Sequence, residues 1–335
     1  MPLPQRSRAS GAFAPLAAAL ALLLAGCGSS AEPARPAAAP SPAATPSGSV
    51  TSTPGTREQL RVDGRTRHYL LHRPTADGAP GDDRSGTGRR KALIIAFHGR
   101  GSSPAELREQ SGLTADARAR GMLIAFPEGL REAWGAGTRA TAQRPDPDLD
   151  VRFTEALVGH LVRTEGADPA RVHVVGFSNG GSMALRMAAE RPGLVAGAAS
   201  VSGQLPSGSA AVEPAGPVPV MVVYGEDDPV RPPAGWPSPP PDPREPITPT
   251  RSARASAEAF AVAGGAGEPV TGRERGYDRT VWRLAKSAGE VRLLVVHDAG
   301  HTWPGSSLTP PKGFGPTSEA LNATAEILGF FTHGH

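Results

Sequence analysis

Short, continuous apolar runs alternate along the chain with longer segments whose apolar residues recur at helical spacing. The run at 91–97 (KALIIAF) is typical of a strand buried on both faces of a sheet, and it stops before Gly99. Residues 151–163 carry apolar side chains at 153, 157, 158, 161 and 162, which form one face of a helix, with Asp150 as the predicted N-cap. Strands separated by helices predict an α/β architecture with a doubly wound, mostly parallel sheet.

The same patterns place the remaining elements of a single domain at 57–335. Further strands are predicted at 122–126, 171–175, 194–200, 218–224, 281–284 and 291–297, and further helices at 104–120, 181–191, 251–263 and 317–331.

The N-terminal segment has the pattern of an export signal. Arg6 and Arg8 precede an apolar run at 12–25, which is shorter than the roughly 20 residues of a membrane-spanning helix. The run ends in Leu-Ala-Gly-Cys27, which resembles the lipobox of bacterial lipoproteins. We therefore expect a signal peptide at 1–26, a lipidated Cys27 that anchors the exported protein to the outer face of the cell membrane, and a disordered Ala/Pro/Ser linker at 27–56. The alternative is an ordinary signal peptide, secretion and an incidental cysteine.

Composition limits which partners, disulfides and metal sites can be expected. The 35 Lys and Arg residues exceed the 32 Asp and Glu residues by only three, and they are spread along the chain rather than gathered in a stripe. This distribution gives no support for nucleic-acid binding. A single cysteine excludes an internal disulfide framework and a cysteine-based zinc site.

A nucleophile motif directly follows the predicted strand at 171–175. Gly176, Phe177, Ser178, Asn179 and Gly180 spell GxSxG between a strand and a helix, which is the setting of a nucleophile elbow. The glycines permit the tight turn that exposes the serine hydroxyl on a strained backbone. The motif predicts Ser178 as the nucleophile, with a glycine-rich turn capped by serine as the structural alternative.

A serine nucleophile needs a general base, and that base needs an orienting carboxylate. Candidates for both roles follow the two later strands at 218–224 and 291–297, in the order acid then histidine. Asp228 is the predicted acid, although spacing alone leaves its neighbours Glu226 and Asp227 open. His301 is the predicted base because it lies on a loop, whereas His297 belongs to the apolar run of its strand.

Acyl transfer also requires N–H donors for the oxyanion. The backbone N–H of Asn179 follows the nucleophile and begins a helix, and the loop at 98–101 (HGRG) offers a second donor, which we assign to Arg100. The His98 ring is predicted to be structural. The segment 229–249 holds ten prolines and begins beside Asp228, so we expect it to form part of the rim of the cleft.

These motifs resemble the secreted esterases of the poly(3-hydroxybutyrate) depolymerase, feruloyl esterase and acetylxylan esterase group, including its lipoprotein members. The matching segments are HGRG at 98–101, FPEG at 126–129, DVRF at 150–153, DPARVHVVGFSNGGSMA at 168–184, GEDDPV at 225–230 and GHTWPG at 300–305. The resemblance implies an α/β-hydrolase fold and a serine esterase with the triad Ser178, Asp228 and His301, working without metal or cofactor. It also suggests that Trp303 and Trp134 border the substrate cleft.

Two departures from that group shape the expected substrate. Arg100 stands where secreted members often carry a cysteine, and nothing after His301 is long enough for a polymer-binding domain. We therefore expect a monomer that cleaves short-chain, hydroxyalkanoate-oligomer or aromatic-acid esters rather than solid polymer. One alternative is a prolyl-oligopeptidase-like serine peptidase, which would need a propeller that 57–90 cannot hold. Another alternative is a non-catalytic surface lipoprotein. The presence of all three triad residue types argues against it.

Overall fold

A computed structural model describes residues 55–74, 90–241 and 246–333. The predicted signal peptide, Cys27 and all but the last two residues of the predicted linker lie outside these ranges. Within them the chain forms one α/β domain, as the sequence patterns predict. None of the helices described is both long and apolar enough to cross a membrane.

In the part of the chain that the structure describes, ten strands form one sheet in the order β1-β2-β4-β3-β5-β6-β7-β10-β9-β8. Their bounds are β1 Thr56–Val62, β2 Arg65–His72, β3 Lys91–Phe97, β4 Leu123–Pro127, β5 Ala167–Phe177, β6 Gly197–Val201, β7 Val220–Gly225, β8 Val270–Glu274, β9 Tyr277–Arg283 and β10 Glu290–Val296. The six central strands from β4 to β10 run parallel, and an antiparallel pair extends the sheet at each edge. The predicted mostly parallel sheet is therefore confirmed.

In the described ranges six α-helices accompany the sheet, and a hydrophobic core lies against each of its faces. The helices are α1 Pro104–Ser111, α2 Leu113–Ala119, α3 Leu149–Thr164, α4 Asn179–Glu190, α5 Ala253–Ala263 and α6 Ala323–His333. Leu93 and Ile95 of β3 belong to the core formed with α3, α4 and α5, whereas Ile94 and Ala96 belong to the core formed with α1, α2 and α6. Because strand side chains alternate between faces, this division confirms the doubly wound arrangement.

The helix predicted at 104–120 is interrupted. Ser103 and Glu106 form a capping box at the start of α1, and Gly112 ends that helix with a φ of 63°. Glycine adopts this left-handed conformation readily, so the backbone turns there and α2 begins at Leu113.

The prediction that Asp150 caps α3 is wrong. The helix begins two residues earlier than predicted, at Leu149 with Asp148 at the N-cap position, and Asp150 lies inside the first turn. Its buried carboxylate accepts a hydrogen bond from Arg67 at 2.9 Å and one from Arg144 at 3.3 Å. Burial of a carboxylate requires such partners, so the residue serves the core instead of the helix end.

Three edge strands and the start of the last helix escape the sequence patterns, whereas the strand predicted at 281–284 is the end of β9. Strands β1 and β2 were not predicted, and β8 was missed because all of its residues are exposed and it carries no apolar run. Helix α6 begins at Ala323 rather than at 317, because the Asn322 side chain accepts the backbone N–H of Ala325 and so caps the helix there.

Candidate active site

The turn that carries Ser178 is strained in the way its motif predicts. Strand β5 ends at Phe177, helix α4 begins at Asn179, and Ser178 between them has φ 54° and ψ −117°. A Cβ atom on Gly176 would overlap the carbonyl oxygen of Gly180, and one on Gly180 would overlap that of Phe97. Only glycine fits at these two positions, so the strand and helix close tightly around the partly buried Ser178, which lines the cavity described below.

The structure brings Ser178, His301 and Asp228 into one hydrogen-bonded chain. The Ser178 Oγ lies 2.9 Å from His301 Nε2, and His301 Nδ1 lies 2.7 Å from Asp228 Oδ2. The loops that carry the acid and the histidine follow β7 and β10, which are adjacent parallel strands. A nucleophile, a base and an orienting carboxylate at these distances can deprotonate a serine hydroxyl.

The acid is also fixed from its other side. Asp228 Oδ1 accepts the backbone N–H groups of Val230 at 2.9 Å and Arg231 at 2.7 Å, and its side chain is buried. These bonds orient the carboxylate so that its second oxygen meets the imidazole. Neither Glu226 nor Asp227 has that position, because both are exposed.

The rival base, His297, lies elsewhere. It is partly buried, and its Nε2 lies 3.3 Å from a carboxylate oxygen of Asp278 on β9. The histidine that reaches the serine is therefore His301.

Both predicted oxyanion donors line the cavity beside Ser178. A Cβ built on Gly99 would lie 3.7 Å from the Cβ of Ser178, so the loop at 98–101, which contains Arg100, rests against the nucleophile. Asn179 is the first residue of α4, and an α-helix makes no internal bond with the N–H groups of its first turn. The N–H groups of Arg100 and Asn179 remain the predicted donors.

The His98 ring ties this loop to the segment after β4. Its Nδ1 lies 2.8 Å from the carbonyl oxygen of Gly99, and its Nε2 accepts the backbone N–H of Gly129 at 3.0 Å. Burial lowers the pKa of His98. The ring is therefore neutral with its proton on Nδ1, and it performs the structural role that the sequence suggested.

A cavity of about 560 Å³ opens beside the serine and the histidine. Its wall includes Trp236 and Ile247 from the proline-rich segment, whose described parts therefore lie at the cleft as predicted. Phe314 also lines it and meets the His301 ring edge to face at 5.2 Å. Within the described ranges, no group of three His, Cys, Asp or Glu side chains is placed to hold a metal ion.

Comparisons with known proteins identify the family of the chain. A family model described as Phospholipase/Carboxylesterase matches residues 148–234, which include the elbow and the predicted acid. Over 343 aligned positions the chain is 39% identical to "Putative esterase NocK" of Nocardia uniformis subsp. tsuyamanensis, covering 95% of this chain and 97% of that protein. The chain belongs to the esterase family of α/β-hydrolases.

A more distant relative of this esterase and a solved structure of similar fold also match the chain. Feruloyl esterase B of Neurospora crassa is 28% identical over 116 residues, which are 34% of this chain and 39% of that protein. The structure of an acetyl xylan esterase from Aspergillus awamori superposes with a TM-score of 0.54 at 15% identity, covering 83% of this chain and 99% of that one. The expected fold is thus confirmed, and the family match together with the 39% identical esterase confirms the expected carboxylic ester hydrolase activity.

The two tryptophans predicted at the esterase's substrate cleft are mainly core residues. Trp134 and Trp303 both touch the cavity, yet they are only 2% and 1% exposed. Their ring N–H groups donate to the carbonyl of His98 and to the hydroxyl of Thr324, each at 3.0 Å. Their contact with substrate therefore stays a prediction. Sequence analysis missed Trp236, which is half-buried in the same cavity and hidden in a proline-rich stretch.

The esterase clamps one wall of its cavity to helix α4. We call this wall the 128–148 loop, since it joins β4 to α3. The Asn179 side chain accepts the backbone N–H of Trp134 at 2.7 Å and donates to its carbonyl at 3.1 Å.

Deeper in the helix, the fully buried Arg186 holds the same loop through several oxygens. It donates to the carbonyls of Gly135, Gly137 and Pro147 and to the carboxylates of Asp148 and Glu190. No sequence pattern singled out Arg186.

Proposed function

We propose that this esterase cleaves its substrates through an acyl-enzyme on Ser178. The observation that carries the proposal is the hydrogen-bonded chain from Ser178 through His301 to Asp228. The Ser178 oxygen attacks the ester carbonyl carbon while its proton passes to His301 Nε2. His301 then gives that proton to the leaving alcohol as the carbon–oxygen bond breaks.

Water completes the cycle. It attacks the acyl carbon, loses a proton to His301 and releases the carboxylic acid, and His301 returns the proton to Ser178. Asp228 holds the imidazole in one orientation and stabilises its positive charge. The N–H groups of Arg100 and Asn179 stabilise the oxyanion of each tetrahedral intermediate.

The proposed substrates are short-chain, hydroxyalkanoate-oligomer or aromatic-acid esters. A cavity of about 560 Å³ is in the usual range for small-molecule sites, which supports soluble esters over a solid polymer. The names of the feruloyl esterase and acetyl xylan esterase relatives add support for aromatic-acid and acetyl esters. A kinetic panel of acetyl, butyryl, feruloyl and 3-hydroxybutyrate-oligomer esters would rank these classes.

Export and anchoring are a separate proposal that rests on the N-terminal pattern. We propose that the chain acts as a monomer at the outer face of the cell membrane, held by lipid on Cys27 after removal of 1–26. Metabolic labelling with a fatty acid should mark the native protein. The label should be lost in Cys27→Ser, and a label that persisted would contradict anchoring at this residue.

Replacing Ser178 by alanine tests the acyl-enzyme. We expect kcat for p-nitrophenyl butyrate to fall by a factor of about 10⁴ or more, because no other group supplies the nucleophile. A fluorophosphonate probe should label the wild-type protein and not the variant. Ser306→Ala is the matched control, since this serine lines the same cavity and should keep the wild-type rate.

Two outcomes would contradict the proposal. An Ser178→Ala protein with the wild-type rate would remove the serine from the mechanism. A folded wild-type protein that resisted both the probe and every ester would instead support a lipoprotein that uses the fold only for binding.

A further inference from the structure

Arg231 is a buried cation on the wall of the active-site cavity. It lies three residues after Asp228, it lines the cavity together with Ser178 and His301, and it is 8% exposed. Burial lowers the pKa of this guanidinium. Among the residues that the structure describes, none accepts a hydrogen bond from its Nε, and none of their carboxylates forms an ion pair with it.

The other buried arginines are paired. Arg67 and Arg144 share the carboxylate of Asp150, and Arg186 pairs with Asp148. Of the four buried arginines in the described ranges, Arg231 alone has no such partner, and it alone follows β7 at the catalytic edge of the sheet. Because an isolated buried charge is unfavourable, this one needs a counter-charge that the described residues do not supply and that a ligand in the cavity can.

Asp228 does not supply that counter-charge by contact. Its negative charge raises the pKa of Arg231 and so partly opposes the effect of burial. However, one oxygen of Asp228 meets His301, and the other accepts the backbone N–H groups of Val230 and Arg231. Both oxygens of the carboxylate are thus bonded to groups other than the guanidinium.

We propose that Arg231 binds a carboxylate of the substrate, so that the esterase prefers esters that carry one free carboxylate close to the scissile bond. This inference rests on the proposed function and specifies its substrate. The planar guanidinium matches a carboxylate with two parallel hydrogen bonds, and a buried site strengthens them. Glu106 and Glu109, exposed on the same lining, disfavour a second anionic group.

The experiment compares matched esters that differ in one charge. Monomethyl adipate is paired with its terminal amide to place the carboxylate on the acyl side, and 4-acetoxybenzoate is paired with 4-acetoxybenzamide to place it on the alcohol side. Hydrolysis is followed by pH-stat, and the measured quantity is the ratio of kcat/KM for the charged ester to that for the neutral one. In the wild-type protein we expect a ratio above about 10 for at least one pair, the scale of a hydrogen bond to a charged group.

Substitution then assigns the preference to the guanidinium. Arg231→Gln should lower the ratio at least tenfold, and Arg231→Lys should restore part of it because the charge returns without the planar fork. Arg139→Gln is the matched control, since Arg139 is an exposed arginine on the same cavity lining, and its ratio should equal that of the wild type.

Each contrary result is distinct. A wild-type ratio near 1 for both pairs, or a loss in Arg231→Gln that is equal for charged and neutral esters, overturns the inference while hydrolysis of the neutral esters leaves the proposed function standing. Hydrolysis that persists in Ser178→Ala would overturn the proposed function instead. If Arg231→Gln does not fold, inhibition of the wild-type protein decides. Adipate should then inhibit at least tenfold more strongly than adipamide, and equal inhibition rejects the carboxylate site.

Discussion

Arg186 and Arg231 are both buried next to the active-site cavity, and they differ in how their charge is met. Arg186 donates to three loop carbonyls and two carboxylates, whereas the Arg231 side chain finds no carboxylate partner among the described residues. A cation with a full set of protein partners belongs to the architecture, because the chain itself compensates its desolvation. A cation on a cavity wall that lacks protein partners is available to bind an anionic ligand. The 128–148 loop is therefore a fixed wall of the cavity. The wall at Arg231 is the one that selects substrates by their charge.

The largest effect expected from this contrast is on Arg186. Arg186→Met should lower the free energy of unfolding by about 3–5 kcal/mol, because it leaves buried carbonyls of the 128–148 loop without donors. Urea unfolding followed by circular dichroism measures the loss. Arg273→Met, which removes an exposed ion pair with Asp278, is the control and should change stability far less. A loss in Arg186→Met no larger than in the control would mean that Arg186 does not hold the loop.

A smaller effect is expected where the same loop meets the nucleophile turn. Asn179→Ala removes two hydrogen bonds to the backbone of Trp134, so it should destabilise the protein by about 1–3 kcal/mol and also lower kcat. Thermal unfolding and p-nitrophenyl butyrate hydrolysis report the two changes. If stability fell while kcat stayed at the wild-type value, the two hydrogen bonds between Asn179 and Trp134 would stabilise the fold without contributing to catalysis.

Arg231 should behave in the opposite way to Arg186. Arg231→Met removes a buried charge that has no carboxylate partner among the described residues, and it keeps a similar volume. The free energy of unfolding should therefore stay constant or rise, on the order of 1 kcal/mol. The same urea titration measures it. A loss as large as that expected for Arg186→Met would show that Arg231 is a structural cation. The two arginines would then not differ in role.

A histidine extends the comparison to a buried group that can release its proton. His72 is 3% exposed, and in the described structure its Nε2 has no hydrogen-bond partner. Burial, aided by the charges of Arg108 and Arg118, lowers the pKa of His72 to about 4. The unfolded chain, with a histidine pKa of about 6.5, therefore binds more protons between these values. The stability linked to His72 is complete above pH 6.5 and is lost as the pH falls towards 4.

His72→Gln should accordingly flatten the fall of Tm between pH 6.5 and 4. Both proteins are referred to their own Tm at pH 8, where His72 is neutral. Equal slopes for the variant and the wild type would show that this ring does not stay neutral in the folded protein.

The sequence predicts the centre of this molecule better than its edges. Residues 91–97 form a continuous apolar run because β3 is buried on both faces, and such runs identify the central strands. Strand β8 has no buried residue, so nothing in its composition distinguishes it from a loop. The helix break at Gly112 was equally hidden, since an isolated glycine within a helical pattern is often tolerated.

At the active site, motifs predict the types of residue required. Where several adjacent residues qualify, the backbone conformation determines which one reaches its partner. Glu226, Asp227 and Asp228 are equivalent by spacing, and the turn that directs the N–H groups of Val230 and Arg231 at one carboxylate selects Asp228. The different environments of Arg186 and Arg231 depend on contacts between residues far apart in the chain, which no local pattern contains. The predictions for Cys27 and the linker concern residues outside those described and stay predictions.

The backbone of Ser178 places a limit on how far this protein can be stabilised. A residue with a side chain in that conformation costs about 1–3 kcal/mol, which glycine would largely avoid. A chain selected only for stability would therefore have lost its hydroxyl at this position. The nucleophile persists because selection on catalysis opposes selection on stability there, and thermostabilising substitutions are better sought at the exposed edge strands, far from the conflict.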